Sequence, residues 1–323
     1  MPSPIQQDFK SYLSSSLNGQ FLVSLREAPL LSVVEACATA KSRIRPKFKD
    51  SFRCLIYNLR ALEDECQVQL MPIQVTDVFW GYFISFCQLR KLAASTIQTL
   101  VNQLRSVLTW AVKYGALVSP TYTDIRLHKT QSHEIALTAD EVSRVAYFDV
   151  QRFYADRRPA YRATMERVRD MFVLSCNLGQ RHSDMVRIEP SCFERNMFRI
   201  TQQKTGNLAV VNIDTYAVDA KTTYRLLEKY GYFAPYTSAI GNYNFNLHAL
   251  FRDIGFNDVV RIEEKRSDGM AVENLPKWKL VSSHTARRTF ATVNVLRGHN
   301  IHSIKKATGH TDLRCLELYV RDE

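Results

Sequence analysis

The sequence predicts a mainly α-helical protein of two domains, with a small β-sheet in the second domain only. Apolar residues recur at helical spacing through the first third of the chain, and this periodicity lapses before a second patterned region that includes one strand-like stretch. The chain has 323 residues, 46% of them hydrophobic, which is enough for two packed cores. We divide it into an N-terminal arm at 1–29, a helical domain at 30–119, a linker at 120–136 and a second domain at 137–323.

The first domain is predicted to contain helices only. Residues 1–29 are polar and weakly periodic, and we assign them no function. The third and clearest helix of the domain is expected to start after Ser95 as its N-cap and to stop at Gly115. Helical spacing is seen in three apolar groups: Phe52, Leu55, Ile56, Leu59 and Leu62; Val78, Phe79, Tyr82, Phe83 and Phe86; Ile97, Leu100, Val101, Leu104 and Leu108.

The linker has few large apolar side chains and carries Arg126, His128 and Lys129. A basic linker of this kind is either simply solvated or follows a phosphate backbone, and the sequence leaves both readings open. Thr138 and Glu141 then have the spacing of a capping box, which predicts that a new helix starts there.

The second domain is predicted to combine helices with β-hairpins. A helix with Met165, Val168 and Phe172 on one face should end at Gly179. Next, residues 198–201 and 209–213 alternate as strands do, and the turn that joins them places Lys204 at a hairpin tip. Further helices are expected at 216–231 and 246–254, and a second hairpin within 261–279.

Composition indicates a polyanionic partner. The formal net charge is +11 and the pI is about 9.3, so nucleic acid is the first candidate. The sequence contains no apolar run of about 18 residues and no signal-like N-terminus, so we expect a soluble, cytoplasmic protein without a membrane partner. Its seven cysteines form no CxxC pair and lack histidines at zinc-finger spacing, so we expect reduced thiols, no metal and no cofactor.

The last forty residues contain the sharpest chemical pattern. His284 and Arg287 are three apart and would share one face of a helix. His310 follows Gly309 and is expected near the N-terminus of a new helix that carries Tyr319, a candidate nucleophile. Each of these features alone can be explained without a catalytic role, because a histidine and an arginine three residues apart often occur by chance and a tyrosine in an apolar helix is usually a core residue.

Two upstream residues complete the set of candidates. Arg181 follows the helix stop at Gly179 and could grip two phosphate oxygens, with Asp184 bracing it from behind. Lys204 at its hairpin tip is by default a solvated turn residue. Arg288 points about 100° away from Arg287 on a helix, so it is the weaker catalytic candidate.

Taken in order, these residues resemble the catalytic set of the tyrosine recombinases, the family of lambda-type phage integrases and Xer-type resolvases. The set comprises Arg181, Lys204, His284, Arg287, His310 and Tyr319. The sequence around these residues is similar too. Leu178-Gly-Gln-Arg-His-Ser-Asp184 looks like the helix end that holds the family's first arginine, and Gln203-Lys-Thr-Gly206 looks like its lysine hairpin. The spacing from His310 to Tyr319 is similar to the spacing found in the family. Residues 30–118 resemble its SAM-like core-binding domain.

The resemblance implies a helical core-binding domain followed by a mixed α+β catalytic domain that close around duplex DNA. It implies that Tyr319 attacks a phosphodiester to give a 3′-phosphotyrosyl link, with His284 assisting the tyrosine. It also implies that Lys204 protonates the leaving 5′-oxygen. The residues implied to hold the phosphate are Arg181, Arg287 and His310. Gln180 and His182 depart from the family's usual apolar residues, and we expect this to alter packing only.

The resemblance further implies a tetramer on two DNA sites, with possible accessory DNA-bending proteins. The sequence from Ser283 to Phe290 most resembles integrases of phages and conjugative elements, so an integrase of a mobile element is the favoured function. A DNA invertase and an Xer-type resolvase remain open. A type IB topoisomerase and a catalytically silent DNA-binding protein are more distant alternatives. With four residues after Tyr319, contacts between protomers are expected to use the tyrosine helix or the N-terminal arm.

Overall fold

The protein is mainly α-helical with two small antiparallel sheets, as predicted. The computed structural model describes residues 25–43, 48–125, 135–266 and 269–310, so the linker core and Tyr319 lie outside the described residues. Two compact units result, one built from residues before 126 and one from residues after 134, the tip of one β-hairpin excepted.

The first unit is a packed set of helices. Helix α1 packs on α2 and α4, and α3 packs on the same two helices. Its four main helices are α1 (Leu30–Ser42), α2 (Arg53–Cys66), α3 (Asp77–Leu89) and α4 (Ala94–Lys113), with short turns at Phe48–Ser51 and Pro72–Gln74.

The ends of this unit differ slightly from the predicted ones. Helix α4 begins at Ala94 after an extended Ala93, and no side chain caps it, so Ser95 lies in the first turn and its prediction as N-cap is wrong. The predicted stop is confirmed, because Gly115 follows the helix with a φ of +80°. The core takes in Leu25 before α1, and Ile125 packs against it beyond α4.

The second unit is built around one central helix. Helix α6 packs against α5, α7, α8 and α9, so its residues from 170 to 178 are buried on every face. The main helices are α5 (Ala139–Ala146), α6 (Pro159–Leu178), α7 (Ala220–Lys229), α8 (Ile240–Ile254), α9 (Ser283–Leu296) and α10 (Ile301–Thr308). Single turns lie at Val150–Phe153, His182–Met185, Ile213–Tyr216 and Lys277–Leu280.

Capping residues explain most of these boundaries. The predicted capping box is confirmed, because Thr138 and Glu141 each bond the other's backbone N–H at the start of α5. The helix predicted at 216–231 is interrupted, because the extended Ala217 ends one short turn and Asp219 caps α7 through the N–H of Thr222. Helix α8 begins at Ile240, before its predicted start.

The predicted lysine hairpin is confirmed, with one strand more than the sequence indicated. The sheet has the order β1 (Phe193–Glu194), β2 (Met197–Thr201) and β3 (Leu208–Asn212), all antiparallel, with Phe198 opposite Val211. The second predicted hairpin is also present, as β4 (Val259–Arg266) and β5 (Gly269–Pro276). No helix in the described part of the chain is long and apolar enough to cross a membrane.

Candidate active site

Arg181 is positioned by the end of the central helix. Gly179 ends α6 with a φ of +66°, and a Cβ there would lie 2.6 Å from the ring of Phe290 on α9. Only glycine therefore allows α9 to pack this closely on the helix end. Two residues later, the Arg181 Nη1 donates to the Gln202 Oε1 at 2.7 Å.

Helix α9 carries the two candidates His284 and Arg287. Ser282 caps the helix by accepting from the His284 N–H. Arg287, one turn in, is only 1% exposed and donates from Nη1 to the Gly179 carbonyl at 3.2 Å. Arg287 therefore lies next to the Arg181 loop, and two neighbouring guanidinium groups suit the binding of an anion.

His310 lies directly after a helix that the sequence did not reveal. Helix α10 ends at Thr308, and Gly309 reverses the chain with a φ of +65°. The structure therefore places His310 past a helix C-terminus, while the helix predicted to follow it lies outside the described residues. The ring is 8% exposed, and its Nδ1 is 2.7 Å from the Thr308 hydroxyl.

Thr308 restricts how the His310 ring is protonated. The Thr308 Oγ1 lies 2.7 Å from the Ile304 carbonyl as well as 2.7 Å from His310 Nδ1, and a hydroxyl has one hydrogen to donate. If that hydrogen goes to Ile304, Nδ1 carries the imidazole hydrogen and Nε2 is left for a ligand. Proton assignments in imidazoles follow from such networks.

The structure brings five of the six predicted catalytic residues together. Lys204 is exposed at the tip of the hairpin between β2 and β3, and its charge acts on His284. The charges of Arg181 and Arg287 act on both His284 and His310. Tyr319, the sixth, lies outside the described residues.

Both histidines are kept neutral by their surroundings. Burial, followed by the charges of Arg287 and Arg181, lowers the pKa of His310 to about 3. Desolvation, followed by the charges of Arg287, Arg181 and Lys204, lowers the pKa of His284. An anion bound among these groups would offset the cationic charges, so the site favours a negatively charged ligand.

Asp184 does not brace Arg181, and that prediction is wrong. Its Oδ1 accepts instead from Arg187 Nη2 at 2.9 Å and from the Gln203 N–H at 2.8 Å. The carboxylate is fully buried, and through Gln203 it holds the base of the Lys204 hairpin. It therefore supports Lys204 rather than Arg181.

Sequence reasoning missed two buried glutamines and misjudged the residues that flank Arg181. Gln180 and Gln202 are 0% and 1% exposed and bond each other at 2.9 Å. The signal for Gln202 was available, because Phe198 and Ile200 point inward and the alternation continues to 202. His182 stacks on Tyr243 and bonds the Ser238 carbonyl, so both flanking residues form hydrogen bonds as well as packing.

A shallow cavity of about 310 Å³ adjoins His310. Its walls come from the start of β3 and from α10, and they include the exposed His302 and two lysines, Lys305 and Lys306. The lining residues are Asn207, Leu208, His302, Lys305, Lys306, Gly309 and His310. The positive charge of the site thus continues along one side of α10.

The solved structures that resemble this fold include DNA-bound integrases. A lambda integrase dimer bound to a COC′ core site matches with a TM-score of 0.65 at 14% identity, over 98% of this chain and 86% of that one. The Tn1549 transposon integrase in complex with a circular intermediate DNA gives 0.62 at 15% identity, over 90% and 94%. A lambda integrase tetramer bound to a Holliday junction gives 0.60 at 14%, over 95% and 85%.

These likenesses establish that the chain has the tyrosine recombinase fold. No known protein-family profile matches the sequence. Nor does any curated protein match it significantly.

Proposed function

We propose that this protein is a site-specific tyrosine recombinase that cuts and rejoins duplex DNA. The observation that carries the proposal is the convergence of Arg181, Arg287, Lys204 and two neutral histidines from separate elements of one unit. This arrangement suits a phosphodiester, whose transition state gathers negative charge on its nonbridging oxygens. The tyrosine recombinase fold and the net charge of +11 support it.

The two arginines bind the phosphate in this mechanism. Arg287 is buried and already anchored by Gly179, and Arg181 is oriented by Gln202, so both present preset donors to the nonbridging oxygens. Preorganised charge of this kind stabilises a transition state without reorganisation at the moment of reaction. A bound phosphate offsets the charges of Arg287 and Arg181 and raises the pKa of His310, so the ring takes up a proton and donates a hydrogen bond to the same phosphate through Nε2.

Proton transfer is divided between Lys204 and His284. The Tyr319 oxygen attacks phosphorus, the bond from phosphorus to the 5′-oxygen breaks, and the phosphate stays joined to the tyrosine at the 3′ end. Lys204, exposed on its hairpin, donates the proton that the leaving 5′-oxygen needs. His284, neutral because its pKa is lowered, can accept the proton that Tyr319 loses.

Within this class we propose an integrase of a mobile element that acts as a tetramer on two DNA sites. The sequence from Ser283 to Phe290 and the structural likeness to the lambda and Tn1549 integrases support this proposal. Because the phosphotyrosyl bond conserves the energy of the broken diester, strand exchange between two duplexes needs no cofactor. An invertase would instead act between inverted sites, and a resolvase between sites in one dimeric circle.

The test of the general proposal is covalent trapping. A duplex selected from a random-sequence pool by binding to the wild-type protein, here called the selected duplex, is nicked at successive positions of one strand. A nick beside the cleavage point lets the 5′-hydroxyl fragment leave, so a protein–DNA adduct that resists denaturation accumulates. We expect adduct from wild type and none from Tyr319→Phe, which should still bind the DNA.

Two further measurements separate the alternatives. Adduct from Tyr319→Phe would refute the nucleophile, and absence of adduct from wild type would favour a DNA-binding protein without activity. Efficient relaxation of a supercoiled plasmid that lacks the selected duplex would favour a type IB topoisomerase. Joining of two plasmids that each carry the site would favour an integrase over an invertase.

A further inference from the structure

Gln202 is a buried amide that uses all of its hydrogen-bonding groups. Its Oε1 accepts from Arg181 Nη1 at 2.7 Å and from Thr205 Oγ1 at 3.0 Å. Its Nε2 donates to Gln180 Oε1 at 2.9 Å and to the Thr308 carbonyl at 2.6 Å. A flipped amide would set its NH₂ against the guanidinium and its oxygen against a carbonyl, so the network fixes one orientation.

The partners of Gln202 lie on three of the segments that carry the candidate catalytic residues. Arg181 is on the loop after α6, Thr308 is two residues before His310, and Gln202 itself is two residues before Lys204. The Gln202 backbone also closes the turn of Lys204, because its N–H bonds the Asn207 carbonyl and its carbonyl accepts from the Gly206 N–H, each at 2.9 Å.

The fit at Gly309 shows how tightly this amide is held. Gly309 has a φ of +65°, and a Cβ added there would lie 2.6 Å from the amide atoms of Gln202. The amide therefore packs directly on the backbone that precedes His310. Gln180 supports it from the other side, since its Nε2 donates to the carbonyls of Leu178 and Ala307 at 2.7 and 2.9 Å.

The chemistry of an amide suits a partner for a phosphate-binding arginine. A carboxylate would orient Arg181 equally well, but its negative charge would oppose the charge that must act on the phosphate. A neutral acceptor orients the guanidinium and leaves its charge in place. Arg181 is only partly buried, so without Gln202 its long side chain would regain rotamer freedom.

We propose that Gln202 is a positioning residue that sets Arg181, the Lys204 hairpin and His310 in register on the scissile phosphate. This inference rests on the proposed recombinase function. Gln202 does not touch the phosphate and acts through its partners. Misplacement of reacting groups by about 1 Å can cost about 100-fold in rate, so loss of this one side chain should slow cleavage far more than binding.

The experiment compares Gln202 with its exposed neighbour Gln203. The rate of adduct formation on the nicked selected duplex is measured at saturating protein, together with the Kd for the intact duplex and the Tm. For Gln202→Met we expect cleavage about 100-fold slower with little change in Kd, because general phosphate contacts dominate affinity. Gln202→Glu should weaken both, since it places a negative charge beside Arg181. Gln203→Met keeps the backbone N–H that donates to Asp184 and changes only an exposed side chain, so it should behave as wild type.

A double substitution shows whether Gln202 acts through Arg181. If part of its effect passes through Arg181, Gln202→Met should slow cleavage by a smaller factor in the Arg181→Ala background than in wild type, whereas a purely structural defect would multiply the two losses. Should Gln202→Met melt below the assay temperature, Gln202→Asn, which keeps an amide but withdraws it by one methylene, takes its place with the same expectation.

The outcomes separate this inference from the function on which it rests. No adduct from wild type would overturn the recombinase proposal and this inference with it. Adduct from wild type, together with equally fast cleavage by Gln202→Met or with fully multiplicative losses in the double variant, would overturn the positioning role alone.

Discussion

The two units of the molecule differ sharply in what they bury. Among the described residues, the helical unit buries only two polar side chains, Asn58 and Ser119. The second unit buries sixteen polar or charged side chains, among them Arg287, His310 and Asp184. A buried polar group is unfavourable unless it is hydrogen-bonded, so folding alone does not require this many buried polar side chains. Their concentration in the second unit is what the proposed function requires, because that unit holds the candidate site.

Not every buried polar group in the second unit belongs to the candidate site. Asp170 pairs with Arg169 and Lys229 at 2.7 Å each and ties α6 to α7. By contrast, a second set of buried polar side chains forms hydrogen bonds between separate segments at one end of α6. These side chains are Gln180, Gln202, Arg287, Thr308 and His310. The difference separates a polar network that joins helices from one that orients side chains toward a ligand.

The largest effect is expected from Arg287. Arg287→Met keeps much of the side-chain volume and removes the charge, so cleavage of the selected duplex should fall by about 10³-fold, as when a transition-state donor is lost. The unfolding free energy should change far less, because burying a charge is itself unfavourable. Single-turnover adduct formation and chemical unfolding measure the two quantities.

The control for this change is Arg297→Met. Arg297 follows α9 and donates to the carbonyls of Ala217 and Val218 at 2.8 and 2.7 Å, so it contributes hydrogen bonds away from the site. The Arg297→Met substitution should lower the free energy of unfolding, but it should not slow DNA cleavage by the folded protein. Equal losses of cleavage in the two variants would mean that Arg287 is structural.

In the helical unit the same comparison predicts a pure packing effect. Leu104 is fully buried in an apolar core, so Leu104→Ala should lower the unfolding free energy by about 2 to 5 kcal/mol. Adduct formation at saturating DNA, measured well below the Tm, should stay close to the wild-type rate. A loss of cleavage as large as that of Arg287→Met would remove the distinction between the units.

Two left-handed glycines, one in each unit, offer a matched pair. Gly115 and Gly309 have φ values of +80° and +65°, but an added Cβ at Gly115 would meet nothing within 4 Å. Gly115→Ala should therefore cost about 1 kcal/mol of backbone strain. Gly309→Ala should cost about 1 to 3 kcal/mol more from crowding of Gln202, and it should slow cleavage as well. Thermal unfolding of both variants tests this, and equal Tm losses would contradict it.

The sequence predicted what repeats locally and missed what depends on distant contacts. Helix stops at Gly115 and Gly179 and the capping box at Thr138 follow from short-range chemistry, and all three are confirmed. The pairing of Asp184 was mistaken because its partners, Arg187 and Gln203, are chosen by how the hairpin returns to α6. Sequence spacing alone contains no information on that return.

The candidate site shows the same division. The residue types of Arg181, Lys204, His284, Arg287 and His310 could be recognised from motifs, and the structure brings them together. The glutamine network that joins them could not, because the alternation that continues from β2 to Gln202 indicates an inward-facing side chain but not the three segments that meet around it. Those contacts exist only when the fold is closed.

The last effect is expected in the pH dependence of stability. Burial and the charges of Arg287 and Arg181 lower the pKa of His310 to about 3, whereas an unfolded histidine titrates near 6.5. Between these values the unfolded chain holds a proton that the folded chain does not, so acid favours unfolding. Each such proton contributes about 1.4 kcal/mol per pH unit, and this stability is lost as the pH falls from about 6.5 toward 3.

Removal of the imidazole should flatten that dependence. His310→Gln should lose less unfolding free energy than wild type between pH 6.5 and 4.5, whereas His302→Gln, which changes an exposed histidine on α10, should follow wild type. Bound DNA should act in the opposite direction on the folded protein, because the phosphate offsets the charges of Arg287 and Arg181 and raises the pKa of His310. DNA binding should then take up protons in wild type and less so in His310→Gln. Identical pH slopes for wild type and His310→Gln would show that the buried ring is not held neutral by the cations around it.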